Sequence, residues 1–143
     1  MAVITMSADS TTLTLNGTLI NDLVSGDVLT LAPVNPLTSH VNAKNGGVTI
    51  QKRADGDVHD LTVRVHRNSE SDVFMNSAVN SDQPTVFNGS MKENFNRDGV
   101  DGVETWTLAN GSITTRPTAT MNDQDGNALS EYVIRFRSAV RAL

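Results

Sequence analysis

The chain has 143 residues and a formal net charge of −5 (Lys+Arg 11, Asp+Glu 16), with no cysteine. That length suits one domain over residues 1–143 with a sizeable core. The missing thiols exclude disulfides and thiolate metal sites, and the acidic balance argues against a surface that grips nucleic-acid phosphates. The opening MAVITMSADS has no basic stretch and no long apolar run, so no signal peptide is expected. No apolar segment approaches the roughly 20 residues of a membrane-spanning helix. No Lys or Arg precedes Lys44, whereas Asp9, Asp22 and Asp27 do, and the C-terminal run carries Arg135, Arg137 and Arg141. This polarity would let copies of the chain attract one another. Thr, Val, Ser and Asn are abundant and aromatics are few, a composition that favours pleated strands and turns.

The first element is a hairpin. TTLTL-NG-TLI places Asn16-Gly17 between two alternating runs, and Asn-Gly supplies the two positive-φ positions of a type I′ turn. The register puts Leu13 opposite Ile20 and Leu15 opposite Thr18. SGDVLTLAP reads as a strand that Pro33 ends. The stretch from Pro33 to Gly47 has prolines, asparagines, glycines and little periodicity; it is expected to be a long loop, and such loops are often functional. VTIQK and DLTVRVHR each alternate apolar and polar residues, the pattern of strands with one buried and one wet face. Their buried sets are Val48 and Ile50, then Leu61, Val63 and Val65. ADGD between them is expected to connect a hairpin. Thr49, Gln51, Thr62, Arg64 and His66 fall on the wet faces.

SESDVFMNSAVNSDQP predicts the helix, over about residues 70–81. Ser69 is placed to cap it, Glu70 and Asp72 suit the positive N-terminal end, and Phe74, Met75, Ala78 and Val79 form an apolar stripe. The stripe is read as core packing, Phe74 included. PTVF leads into Asn88-Gly89, NRDGVDG is a turn-rich loop, and Trp106, Leu108 and Ile113 surround another Asn-Gly. DQDGN is a further turn. EYVIRFR alternates Tyr132, Ile134 and Phe136 against Val133, Arg135 and Arg137.

RADGDVHD (53–60) is the densest cluster of candidate ligands. Taken as a calcium loop from Asp55, its sixth position is Asp60 rather than Gly and its twelfth is His66 rather than a carboxylate, so the template fails. His59 and His66 differ by an odd number and point to opposite faces of one strand, which defeats a shared zinc site. DQDGN fails the same calcium test, with Met121 first and Tyr132 twelfth. Asp55 and Asp57 form a carboxylate pair, yet no aromatic platform for a sugar lies near them in sequence. No nucleophile elbow, Walker loop or paired-histidine zinc motif occurs. No catalytic residue, cofactor or metal is assigned, and no enzyme is expected. Trp106 is expected in the core.

The order of elements in GGVTIQKRADGDVHDLTVRVHRNSESDVFMNSAV, followed by WTLANGSITTRP and EYVIRFR, resembles the tail tube proteins of bacteriophages, relatives of the type VI secretion tube protein. The resemblance spans most of the chain and is diffuse rather than tied to one diagnostic residue. It implies a mainly β fold: a twisted antiparallel β-sandwich or incomplete barrel with one short flanking α-helix and the long loop. It also implies a structural virion protein of the tail, assembled in the host cytoplasm. Its subunits would form hexameric rings that stack into a hollow tube for viral DNA ejection. The DNA passes without specific binding, and the implied protein partners are sheath, baseplate and tape measure proteins. On that analogy the loop is an arm reaching a neighbouring ring. The candidate contact residues are Pro33, Asn35, Pro36, His40, Asn42, Lys44, Asn45, Asp55, Asp57, Arg135 and Arg137. Thr49, Gln51, Thr62, Arg64 and His66 are the solvent- or lumen-side candidates, with Arg64 expected to find a carboxylate on a neighbour. The branch resembled has contractile tails. A minor tube relative (a baseplate initiator or tail terminator) and a receptor- or glycan-binding β-sandwich module are the rival readings.

Overall fold

The computed structural model describes residues 1–6, 10–26, 28–119 and 129–143. Its elements in chain order are β1 (Ile4–Met6), β2 (Thr12–Leu15), β3 (Thr18–Ile20), β4 (Leu29–Pro33), β5 (Thr38–Asn42), β6 (Val48–Lys52), β7 (His59–His66), α1 (Glu70–Val79), β8 (Phe87–Arg97), β9 (Val100–Thr115) and β10 (Leu129–Ala142). The main sheet is antiparallel with the order β3-β2-β8-β9-β10-β7-β4. β1 also pairs with β8, beyond the end of β2: Met6 lies opposite Phe95, whereas Thr12 lies opposite Lys92. β5 and β6 form a separate two-stranded ribbon.

The alternating runs become the strands that enclose the core. Leu61, Val63 and Val65 of β7 and Tyr132, Ile134 and Phe136 of β10 are all buried, with their partners in sequence facing outward. Leu13, Leu15 and Ile20, from the far side of the sheet, belong to the same buried cluster. The sheet therefore curls around one core without closing. The chain leaving β3 spans the gap: Val24 N donates to Arg64 O (3.0 Å) and His66 N donates to Asp22 O (2.8 Å). Each large apolar side chain so buried contributes about 1.5–3 kcal/mol.

The Asn16-Gly17 hairpin has the expected register, with φ of 50° and 79° at the turn. Asn45-Gly46 turns the chain between β5 and β6, whereas Asn88-Gly89 and Asn110-Gly111 do not turn it. They lie inside β8 and β9, where the β8–β9 register shifts between Phe87 and Gly89 and Asn110 takes φ 55°. Asn16, Asn88 and Asn110 interlock. Asn88 N donates to Asn16 Oδ1 (2.9 Å), Asn16 N donates to Asn88 O (2.8 Å), and Asn110 N donates to Asn88 Oδ1 (3.0 Å). Gly89 is required here, because a Cβ would sit 1.8 Å from Thr14 O. NRDGVDG is shorter as a turn than its composition suggests. Asp98-Gly99 alone reverses the chain, and Val100–Gly102 already pair with β8. DQDGN lies outside the described residues.

The helix begins as expected, with Ser69 Oγ accepting from Asp72 N. Met75 is fully buried, and Phe74, Ala78 and Val79 pack against the core; the Phe74 and Phe87 rings meet edge-on at 6.2 Å. Asp72 does more than suit the helix terminus. Its carboxylate accepts from Tyr132 Oη (2.6 Å), Ser130 Oγ (3.1 Å) and Asn68 N (2.9 Å), which ties α1 to β10. On the other side Ser71 donates through N and Oγ to Asp22 Oδ2 (3.3 and 3.1 Å).

Candidate assembly interface

The stretch expected as a loop over 33–47 does leave the main sheet, but it contains a strand. β5 pairs with β6 from Thr38↔Lys52 to Asn42↔Val48, making a ribbon arm. At its tip Ala43 N donates to Gly47 O (2.6 Å), and Gly47 N donates to Asn45 Oδ1 (3.2 Å). At its root Val34 N donates to Val58 O (3.0 Å), Arg53 N donates to Leu37 O (2.9 Å) and Asn35 Nδ2 donates to Asp55 O (3.2 Å). ADGD is thus not a hairpin connection. β6 pairs with β5, β7 pairs with β4 and β10, and 53–58 carries the chain from one sheet to the other.

This change of partner overturns the expectation that Val48 and Ile50 face a core. Among the described residues no layer lies beneath the arm, and Val41, Val48 and Ile50 are 65, 54 and 64% exposed. An alternating pattern signals a face to be covered, and none of the described residues covers this one. The arm gathers Asn35, Pro36, His40, Asn42, Lys44 and Asn45 on one projection, with Pro33 at the end of β4 and Asp55 and Asp57 at the root. Asp55 is clamped by Arg53 through Nε and Nη2 (3.0 Å each), and Asp57 O accepts from His59 Nδ1 (2.7 Å).

The remaining candidates lie elsewhere. Arg135 forks onto Asp60 (2.8 and 3.1 Å), and that hydrogen bond holds the Asp60 carboxyl below its ordinary range. Arg137 is exposed. Arg64 is paired within the chain, to Glu131 directly across from it on β10 (3.2 Å), not to a neighbour as expected. Thr62 and Arg64 are half-buried and His66 is exposed on the outer face of β7, whereas Thr49 and Gln51 are on the arm. The solvent-side set is therefore split between two sheets. The basic C-terminus is partly spent internally too: Arg141 Nε donates to Glu104 Oε1 (2.8 Å), which also accepts from Trp106 Nε1 (3.0 Å). Arg141 keeps the Glu104 carboxyl below its ordinary range. Trp106 is half-buried against the core, with His59 tilted beside it at 6.0 Å.

Sequence reasoning missed a second exposed surface. Past the core, β1 and the β8–β9 hairpin end form a three-stranded tip on which Ile4, Met6 and Val100 are 59, 57 and 70% exposed. The alternation of Val3 and Ile4 to Met6 was too short to read alone. The outer edges of β3 and β4 also carry no neighbouring strand among the described residues.

The sequence matches no protein-family model and no curated protein. The fold does have counterparts among assemblies solved by cryo-electron microscopy. A chain of the anti-feeding prophage cap, its tube-terminating cap, superposes with a TM-score of 0.68 at 12% identity, covering 96% of this chain and 91% of that one. A chain of the sheath-tube complex of an extracellular contractile injection system, PVC, in its extended state gives 0.68 at 9% identity, with 96 and 91% covered. A chain of the sheath/tube terminator of that system gives 0.66 at 10% identity, with 97% of each covered. The chain thus has the fold found in tube and tube-terminator assemblies of contractile injection systems, as the resemblance to tail tube proteins implied.

Proposed function

We propose that this chain is a non-catalytic structural subunit of a phage-type tail tube. Its copies form hexameric rings, and the rings stack into the hollow conduit through which viral DNA leaves the virion. Sheath, baseplate and tape measure proteins are its partners in the tail. The observation that carries this reading is the near full-length fold match to a chain of a tube-sheath complex, joined to an arm whose apolar side chains have no cover among the described residues. Open β-edges normally invite association, and a tube subunit uses them for it. Contacts between two different surfaces propagate rather than close on themselves, which suits a stacked polymer. The net charge of −5 keeps passing phosphates from adhering. Contractile tails are favoured because the matched assemblies belong to contractile systems.

A second reading, a terminator that caps the tube, is favoured by the equally close matches to a tube-terminating cap and a sheath/tube terminator. Sedimentation velocity of the purified protein separates the two. A tube subunit gives species that grow without limit as concentration rises. A terminator stops at one discrete ring, and a stable monomer at every concentration contradicts both.

A further inference from the structure

The sequence has four Asn-Gly pairs, which begin at Asn16, Asn45, Asn88 and Asn110. Each sets an electrophile, the side-chain amide carbon, next to a backbone nitrogen that no Cβ shields. The fold treats the four differently. Asn16 is pinned at both ends of its amide: Oδ1 accepts from Asn88 N (2.9 Å) and Nδ2 donates to Val86 O (3.1 Å). Its amide carbon cannot swing to Gly17 N without breaking both bonds. Asn88 Oδ1 is held by Asn110 N (3.0 Å), and Gly89 is wedged against the backbone at Thr14. Beyond Asn110, Gly111 is buried inside β9, paired with Phe87 on one side and Phe136 on the other, with the Phe136 ring packed over it.

Asn45 is the exception. It is exposed, in the turn that ends the arm, and among the described residues its amide is held by one bond, Oδ1 accepting from Gly47 N (3.2 Å). That bond polarises the carbonyl, whose oxygen gains charge as its carbon is attacked. The space around Gly46 is open, with nothing within 4 Å of where a Cβ would stand. Gly46 N donates to Ala43 O (3.1 Å), and a lone bond at an exposed turn opens at little cost.

We propose that Asn45 is a self-modification site, at which the folded chain converts an asparagine into aspartate and isoaspartate. Gly46 N gives up its proton and bonds to Asn45 Cγ. The Cγ–Nδ2 bond breaks, and ammonia leaves with that proton, closing a cyclic imide. Water then opens the ring. Attack at the side-chain carbonyl gives isoaspartate or aspartate according to which C–N bond it cleaves: loss of the bond to Cγ restores aspartate, and loss of the bond to the backbone carbonyl carbon leaves isoaspartate. The sum is one water consumed and one ammonia released, with no oxidant, reductant or cofactor. The product places a negative charge on a segment that, from Pro33 to Lys52, holds Lys44 and Lys52 and no Asp or Glu. The isoaspartate form also lengthens the backbone at the turn by one carbon, which breaks the contact with Gly47 N.

The test is peptide mapping by mass spectrometry of the wild-type chain, held in mildly alkaline buffer at a concentration where the subunit is unassembled. Chromatography separates the aspartate and isoaspartate peptides. The expected result is conversion at Asn45 several-fold faster than at Asn16, Asn88 or Asn110, with isoaspartate among the products as the mark of the cyclic imide. In denaturant the four rates should converge, because the fold and not the dipeptide sets the order. Equal rates at all four positions in the native protein, or an Asn45 that stays intact, would overturn the proposal. An order that persists unchanged in denaturant would overturn it too, since local sequence would then be the selector.

Discussion

Asp72 and Tyr132 fasten the helix to the sheet. Burial, reinforced by the bond to the Asp72 carboxylate, pushes the Tyr132 phenol far above its ordinary range. A group with a raised folded pKa contributes stability that is complete below its unfolded pKa and is lost as pH rises towards the folded value. Tyr132 is the only tyrosine. Tyrosinate absorbance should therefore stay absent in the folded protein above about pH 10, where a free phenol ionises, and appear together with unfolding. A tyrosinate signal growing in at about pH 10 with the fold intact would refute the buried bond. Tyr132→Phe removes the donor and leaves the carboxylate under-satisfied, a cost of about 1.5–3 kcal/mol in denaturant unfolding. Gly89→Ala is harsher, because the new Cβ collides with backbone at Thr14 rather than with a side chain that can rotate away. It should leave little soluble folded protein, and a well-folded variant would mean the Asn16–Asn88 contact is looser than described.

Elements differ in how much of them a local stretch of sequence reveals. β7, β10 and the capped helix were legible because their alternation, or their capping residues, answered to partners that exist within the chain. Ser69→Ala should accordingly cost about 0.5–2 kcal/mol on thermal or denaturant unfolding, and no loss would mean that Asp72 alone sets the helix start. Asn-Gly was ambiguous for a physical reason. The dipeptide favours positive φ, but that geometry serves a turn at Asn16 and a bulge at Asn110 equally well. The flanking strands decide, and they are distant in sequence. β5 was invisible because its cross-strand neighbours ask for no apolar face, and β6 was legible as a strand but not as one without a core. Among the candidate contact residues, the arm set was found as a group because the prolines and glycines mark an excursion. The three-stranded tip went unseen because β1 and the β8–β9 end become neighbours only in the fold. The arm also has a natural excision point. Pro33 pairs with His59, and Val34 bonds to Val58, so β4 and β7 already form the stem of a hairpin. Replacing residues 35–57 by Asn-Gly should leave a cooperatively folded monomer that no longer self-associates. Normal polymers from that variant would exclude the arm from assembly.

At the scale of the molecule, the charge polarity read along the sequence does not survive folding as two opposed ends. Arg135, Arg141 and Arg64 each neutralise a carboxylate of the same chain, and Asp22 serves the helix terminus. The hydrogen bonds from Arg135 and Arg141 hold the Asp60 and Glu104 carboxyls below their ordinary values of 3.8 and 4.5. Lowered carboxyls contribute stability above those values that is lost as pH falls through the folded pKa. The subunit should thus weaken below about pH 4, and the effect should be modest because both pairs are partly solvated. Asp60→Asn should flatten the acid limb of a melting-temperature profile; an unchanged limb would show that the pair is not felt. What the fold leaves unspent is the arm, the three-stranded tip and the open edges, which the tube reading assigns to contacts with other copies. The most direct test is negative-stain electron microscopy of the purified wild-type protein at increasing concentration. The account predicts hollow tubes of uniform width built from stacked rings; particles that remain single subunits at every concentration would contradict it.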